Sequence, residues 1–196
     1  MKARTASLRR ITRETRITAA INLDGGGIAR ISSGIPFLDH MLSLFARHSL
    51  IDVSLKAGGD LEVDLHHTVE DIGLCLGTLI NKALGNRRGI RRYGSAYAPM
   101  DDALSRAVVD LGGRPFLVCQ VASKRRKILD FDLGLIGEFL QALSIQARMN
   151  LHLAQLYGRE PHHAYESMFK ALALAMRAAV ARDTREKGVP SSKGVL

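Results

Sequence analysis

The sequence predicts an α+β fold built from an internally duplicated unit. Each copy is a β-sheet with two helices, and the two halves pack their helices between their sheets with pseudo-two-fold symmetry. Three observations carry that prediction. One motif is written twice: His66-His67-Thr68-Val69-Glu70 returns as His162-His163-Ala164-Tyr165-Glu166, 96 residues later in a chain of 196. Two more anchors keep the same order. Asn22-Leu23-Asp24-Gly25-Gly26 lies over Asp110-Leu111-Gly112-Gly113 at an offset of about 88, and Phe37-Leu38-Asp39-His40 over Leu135-Ile136-Gly137-Glu138 at 98. Small drifts in offset are what loop insertions produce. Finally, strand-like and helix-like hydrophobic periods follow one another in the same order in both halves. The chain reads as a single domain over residues 1–196, with repeats at about 1–88 and 89–182 and a tail at 183–196.

The elements follow in order. Residues 4–23 alternate as strands do, most clearly over Ile17–Leu23. Asp24-Gly25-Gly26-Gly27 predicts a hairpin turn into a short strand at Ile28–Ser32. No Lys-Ser/Thr or helix follows these glycines in register, so they are not a phosphate loop. Phe37–His48 has helical spacing, with Leu38, Met41, Leu42 and Phe45 on one stripe. His40 and His48 are two turns apart and lie near one face. Two strands, Ile51–Ala57 and Leu61–Leu65, are expected around Gly58-Gly59-Asp60. A helix then runs from His67 to about Leu84, where Gly85-Asn86 stops it. In the second half, strands are expected at 91–100, 103–111 and Phe116–Val121, with a polar basic stretch at Lys124–Lys127. They are followed by a helix over Leu135–Ala147, a strand over Asn150–Leu156 and a long helix over His163–Ala181. The tail is polar and reads as extended.

With 46% hydrophobic residues the chain can bury a substantial core without external staples. Cys75 and Cys119 both sit in apolar runs and read as small buried hydrophobes, consistent with a reducing cytoplasm. No apolar run approaches a membrane span, so no membrane association is expected. The Arg-rich start at 1–16 resembles a transit peptide superficially, but it carries Glu14 and runs into a strand pattern. A net charge of +9 admits nucleic acid or a small anionic substrate as partner. Aromatics at 5%, scattered basic clusters and no nucleic-acid motif exclude a base-stacking platform.

The doubled motif carries the chemistry. On a helix, His66 shares a face with Glu70, and His162 with Glu166, while adjacent histidines point about 100° apart. Such a pair cannot grip one ion together, but it can give one imidazole to each of two ions. A single His-His near a helix start is usually a solvated or capping feature; two matched copies, each with its Glu, point to metal ligation. Imidazole with carboxylate suits Mn, Fe, Co, Ni or Zn. His40, His66, His67, Glu70, His162, His163 and Glu166 compete for ligand roles. Glu14, Asp101 and Asp102 are candidate acids or bases, and Arg92, Arg114 and Lys193 candidate anion holders. His152, in a strand pattern outside the His pairs, reads as structural. Spacing alone leaves hydrolysis, isomerisation and elimination on a small phosphorylated substrate all open.

Seven segments in one order across the chain resemble the imidazoleglycerol-phosphate dehydratase family. They are Arg13-Glu14-Thr15, Phe37–Leu42, Asp64–Asp71, Met100–Leu104, Asp110–Pro115, His162-His163 with Glu166, and Pro190–Gly194. The resemblance implies a monofunctional hydro-lyase of histidine biosynthesis that converts imidazoleglycerol phosphate to imidazole acetol phosphate and water. It implies two Mn ions per subunit. One would be held by His40, His67, His162 and Glu166, the other by His66, Glu70, His163 and Glu138, where many members have His. Substrate contacts are implied at Glu14, His40, His48, His66, Glu70, Arg92, Arg114, His162, Ser192 and Lys193, with Glu14 moving the carbon-bound proton. With an ion on each ring nitrogen, the substrate imidazole can become an imidazolate and expel hydroxide through a diazafulvene-like intermediate. The resemblance also implies a 24-subunit homo-oligomer with active sites at subunit contacts. A metal-storage protein using the same ligands would leave Glu14, Arg114 and the Ser-Ser-Lys tail unexplained, and a nucleic-acid binder would have no use for the His pairs.

Overall fold

The computed structural model describes residues 3–121 and 127–194; the basic stretch at 124–126 lies outside these. The first half runs β1 (Thr5–Ile11), β2 (Thr15–Asn22), β3 (Ala29–Ser32), α1 (Pro36–Ser49), β4 (Asp52–Gly59) and α2 (His66–Leu84). The second runs β5 (Tyr93–Met100), β6 (Ala103–Asp110), β7 (Phe116–Gln120), a small β8–β9 ribbon (Lys127–Ile128 and Phe131–Asp132), α3 (Leu135–Ala147), β10 (Asn150–Tyr157) and α4 (Pro161–Val180). The sheet orders are β1-β2-β4-β3 and β5-β6-β10-β7, the same order once β10 is matched to β4 and β7 to β3. In each sheet the last neighbour pair is parallel and the other two are antiparallel. The predicted duplication is therefore present strand by strand.

Each helix pair lies on its own sheet, and α2 packs on α3 while α1 packs on α4. The core is thus two helical layers between two sheets. Leu38, Met41, Leu42, Ile72, Leu79, Ile136, Phe139 and Phe169 are all fully buried there. Phe139 and Phe169 stack with ring centroids 6.1 Å apart. α2 approaches α3 over glycines: a Cβ on Gly73 would come within 2.6 Å of the Phe139 carbonyl oxygen, and one on Gly77 within 2.6 Å of that of Leu143. The strands that line this core alternate as their sequences do. Ile17, Ala19 and Ile21 of β2 face in, while Arg16 and Thr18 face out.

Two expectations fail. Asp24–Gly27 does not join paired strands, because it carries the chain past the place of β4 to β3 at the far edge. The α1 crossover then returns it to lay β4 parallel to β3, between β3 and β2. The turn is instead pinned by Asp52, whose Oδ1 accepts the Gly26 and Ile28 amides at 2.9 Å. Leu61–Leu65 is not a strand either. With no partner strand beside it among the described residues, it closes into a turn in which the Asp60 carbonyl accepts the Val63 amide at 2.8 Å. Both cysteines are free; Cys75 is buried as expected and Cys119 only half-buried, and burial pushes each thiol up to about 11. Among the described residues no helix is long and apolar enough to cross a membrane.

Candidate metal centre

Each copy of the motif opens its second helix. Pro36 and Pro161 begin α1 and α4, where proline loses no helical hydrogen bond. The Glu160 side chain caps α4 by accepting the His162 amide at 3.4 Å, and Asp64 accepts the His66 amide at 3.2 Å. These starts fix where the histidines emerge.

The α1–α4 contact brings His40, His162 and Glu166 together, with one donor atom from each lying within 4.8 Å of the others. His40 Nε2 is 2.7 Å and His162 Nε2 3.1 Å from the same Glu166 oxygen. Lys170 Nζ lies 3.1 Å from the other oxygen. Burial pushes the Glu166 carboxyl up, but hydrogen bonds from His40, Lys170 and His162 outweigh it and hold it at about 2. Two imidazole nitrogens and an ionised carboxylate converging on one point fit a borderline divalent ion. Phe37 meets the His162 ring edge-on, with centroids 5.8 Å apart. A cavity of about 520 Å³ opens beside the cluster, walled by Phe37, Leu65, Phe131, His40 and His162.

Matching α1 to α3 and α2 to α4 makes Glu138, His66 and Glu70 the counterparts of this cluster. His66 and Glu70 do face each other, at 3.5 Å, and remain open to solvent. Glu138 stands exposed in the first turn of α3. Among the described residues only the first set forms a three-donor group. The second histidine of each pair turns elsewhere. His67 Nδ1 is 3.1 Å from Asp60, and His163 Nδ1 2.8 Å from Asp102, each carboxylate raising its partner's pKa.

The remaining candidates are spread around this frame. Glu14 occupies the β1–β2 turn, exposed, and its charge reaches His67. His48 sits on α1, its pKa lowered by burial and by Lys170 and Arg47. Arg92 is 8% exposed and already paired: Asp110 receives Nε at 2.6 Å and Nη2 at 3.0 Å, while Nη1 donates to the Pro190 carbonyl at 2.8 Å. That last bond ties the tail carrying Ser192 and Lys193 to the second sheet. Ser192 and Lys193 are exposed, as is Arg114 in the turn before β7. His152 is exposed on β10, between the inward Leu151 and Leu153. Two residues escaped sequence reading. Lys170 carried a signal, four residues after Glu166, whereas Asp60 sat in an ordinary turn and carried none.

Fold and site together define a duplicated α+β protein with a histidine–carboxylate centre between its helical layers. Residues 33–176 match the family model for imidazoleglycerol-phosphate dehydratase. Imidazoleglycerol-phosphate dehydratase of Nitrobacter hamburgensis is 53% identical over 194 residues, covering 98% of each chain. That of Geobacillus kaustophilus is 50% identical over 194 residues, covering 99% of this chain and 100% of its own. The crystal structure of the Staphylococcus aureus protein of the same name superposes with a TM-score of 0.83 at 34% identity, covering 91% of this chain and 99% of the other. The Pyrococcus furiosus structure gives 0.83 at 36%, covering 96% and 100%. The chain belongs to the imidazoleglycerol-phosphate dehydratase family, a family of dehydratase enzymes.

Proposed function

We propose that this protein dehydrates D-erythro-imidazoleglycerol phosphate to imidazole acetol phosphate in histidine biosynthesis, in the cytoplasm. The observation that carries the reading is the His40–His162–Glu166 cluster at the edge of a cavity walled by Phe37 and Phe131. A flat imidazole can lie against those rings with a nitrogen toward the cluster. The ions would be two Mn per subunit, held by His40, His67, His162 and Glu166 and by His66, Glu70, His163 and Glu138. When bound they supply Lewis-acid stabilisation of the deprotonated ring.

This chain's own residues do the rest. The ring's electrons expel the hydroxyl from the carbon attached to the ring through a diazafulvene-like state, and Glu14 removes the proton from the next carbon, which keeps its own hydroxyl. This gives an enol that tautomerises to the ketone, while the expelled hydroxide takes up a proton and leaves as water. Arg114, Ser192 and Lys193 hold the phosphate, with Arg92 fixing the tail that carries two of them. His48 borders the same region. His67 and His163 point away from the three-donor cluster within one chain, which supports sites completed between subunits of a homo-oligomer, a 24-mer in this reading. The two repeats at 1–88 and 89–182 then serve as pseudo-equivalent halves of each contact, with the 183–196 tail reaching over the site.

The test is turnover of imidazoleglycerol phosphate by chelator-stripped protein, with and without Mn, with metal counted per subunit. Turnover restored at about two Mn per subunit is the expected result. Mn uptake without turnover would replace this reading by a metal-binding protein.

A further inference from the structure

The two hairpins can be matched residue by residue. β2 and β6 are both eight residues long, and each pairs in register with the strand before it, Asn22 against Thr5 and Asp110 against Tyr93. Glu14 and Asp102, the residues immediately before β2 and β6, therefore occupy the same place in the two halves. Their side chains do different things. Asp102 is fully committed: Oδ1 accepts from His163 Nδ1 at 2.8 Å, and Oδ2 accepts the backbone amides of Arg159 at 2.7 Å and Glu160 at 3.3 Å. In the first half the histidine is held from another direction, by Asp60 at the end of β4, 3.1 Å from His67 Nδ1. Among the described residues the Glu14 carboxylate has no hydrogen bond or ion pair, although the Glu14 carbonyl accepts the Asp60 amide at 3.1 Å and so fixes the two turns together.

We infer that Asp60 and Asp102 are positioning residues for His67 and His163, and that the hand-over from the hairpin acid to Asp60 in the first half is what leaves Glu14 free to carry a proton. A carboxylate on Nδ1–H fixes the tautomer whose lone pair is on Nε2, orients the ring and strengthens it as a ligand. Among the described residues the ion-pair partner of His163 Nε2 is the exposed Asp101, at 3.5 Å. Asp102, which sequence reading placed among the acids and bases, is thus assigned to holding a ligand rather than to proton transfer. The inference rests on the metal-dependent reading above.

Asp102→Asn separates this role from a structural one. Its amide oxygen can still accept the Arg159 and Glu160 amides, while its NH2 faces His163 Nδ1 and drives the ring proton onto Nε2. The probe is Mn(II), titrated into chelator-stripped protein and followed by electron paramagnetic resonance, with thermal melting and assembly size measured alongside. Asp102→Asn and Asp60→Asn are each expected to weaken the affected Mn site by about 10- to 100-fold with unchanged melting and assembly. Asp102→Glu should recover part of the loss, and Glu14→Gln should bind Mn as the parent protein does. Folded Asn variants with parental Mn affinity would overturn the proposal. Should Asp102→Asn fail to fold, Asp60→Asn decides alone, because the Asp60 carboxylate accepts no backbone amide among the described residues. Absence of Mn uptake by the parent protein would instead sink the metal-dependent reading, and this inference with it.

Discussion

The two copies of His-His-x-x-Glu begin the same helix of the same unit, yet their glutamates live in different surroundings. The Glu166 side chain is 9% exposed, gripped by His40, His162 and Lys170; that of Glu70 is 47% exposed and, among the described residues, pairs with His66 at 3.5 Å. The position matching Lys170 is Leu74, and the position matching His40 is Glu138. Duplication preserved the backbone and the motif, while substitutions around it gave one half a closed cluster and the other an open pair. Similar divergence marks the arginines just before the first strand of each half. Arg4 pairs with Asp24 and donates to the Val180 carbonyl, and Arg92 pairs with Asp110 and donates to the Pro190 carbonyl.

The largest test of this asymmetry sits in the matched hairpins. Glu14→Gln should reduce turnover by on the order of 100- to 10,000-fold while keeping fold and metal content, the usual weight of a positioned acid or base. Steady-state kinetics with Mn analysis checks it, and near-normal turnover would remove Glu14 from the chemistry. Next comes the contrast of the two glutamates in metal-free protein. Glu166→Gln strips a half-buried Lys170 of its carboxylate partner and replaces a buried carboxylate that accepts from His40 and His162, and should cost about 2 kcal/mol. Glu70→Gln breaks only an exposed pair and should cost less than about 1 kcal/mol. Urea unfolding of both variants reads the difference, and equal losses would mean that the two copies are alike.

Gly73→Ala probes the helix contact that one half makes through glycine and the other, at Phe169, through a ring. A methyl driven toward the Phe139 carbonyl should lower stability by about 1–3 kcal/mol, seen as a lower melting temperature. The smallest effect concerns the arginine anchors. Hydrogen bonds from Arg4, against a smaller opposing push from burial, hold the Asp24 carboxyl well below the ordinary carboxylate range. A lowered folded pKa contributes stability that is present above the unfolded value and lost as the pH falls toward the folded one. Asp24→Asn should therefore melt lower than the parent at pH 7, by about 1 kcal/mol, and the gap should close on acidification below pH 4. A gap that is independent of pH would mean that the pair contributes nothing through charge.

Much of this was legible in advance where local chemistry decides. Leu135–Ala147 forms a helix with the bounds its periodicity gives, and Gly85 stops α2 as its lack of a side chain permits. The failures were of pairing. Leu61–Leu65 alternates as a strand should, but alternation states which face is apolar and not whether a neighbouring strand exists to take the hydrogen bonds. The Asp24–Gly27 turn has hairpin composition, yet which strands pair is decided by the α1 crossover. In the site, His40, His162 and Glu166 were named from spacing and meet, whereas Asp60 was invisible because its partner is seven residues away across a turn.

The sequence alone determined the duplication, the candidate ligand types and the faces of the helices, because each follows from side-chain identity and a fixed local period. Tertiary structure decided which motif copy would be closed and which open, and which acid would hold each histidine. Those outcomes depend on the packing of α1 against α4 and on the reach of single side chains across turns, distances that no one-dimensional spacing encodes.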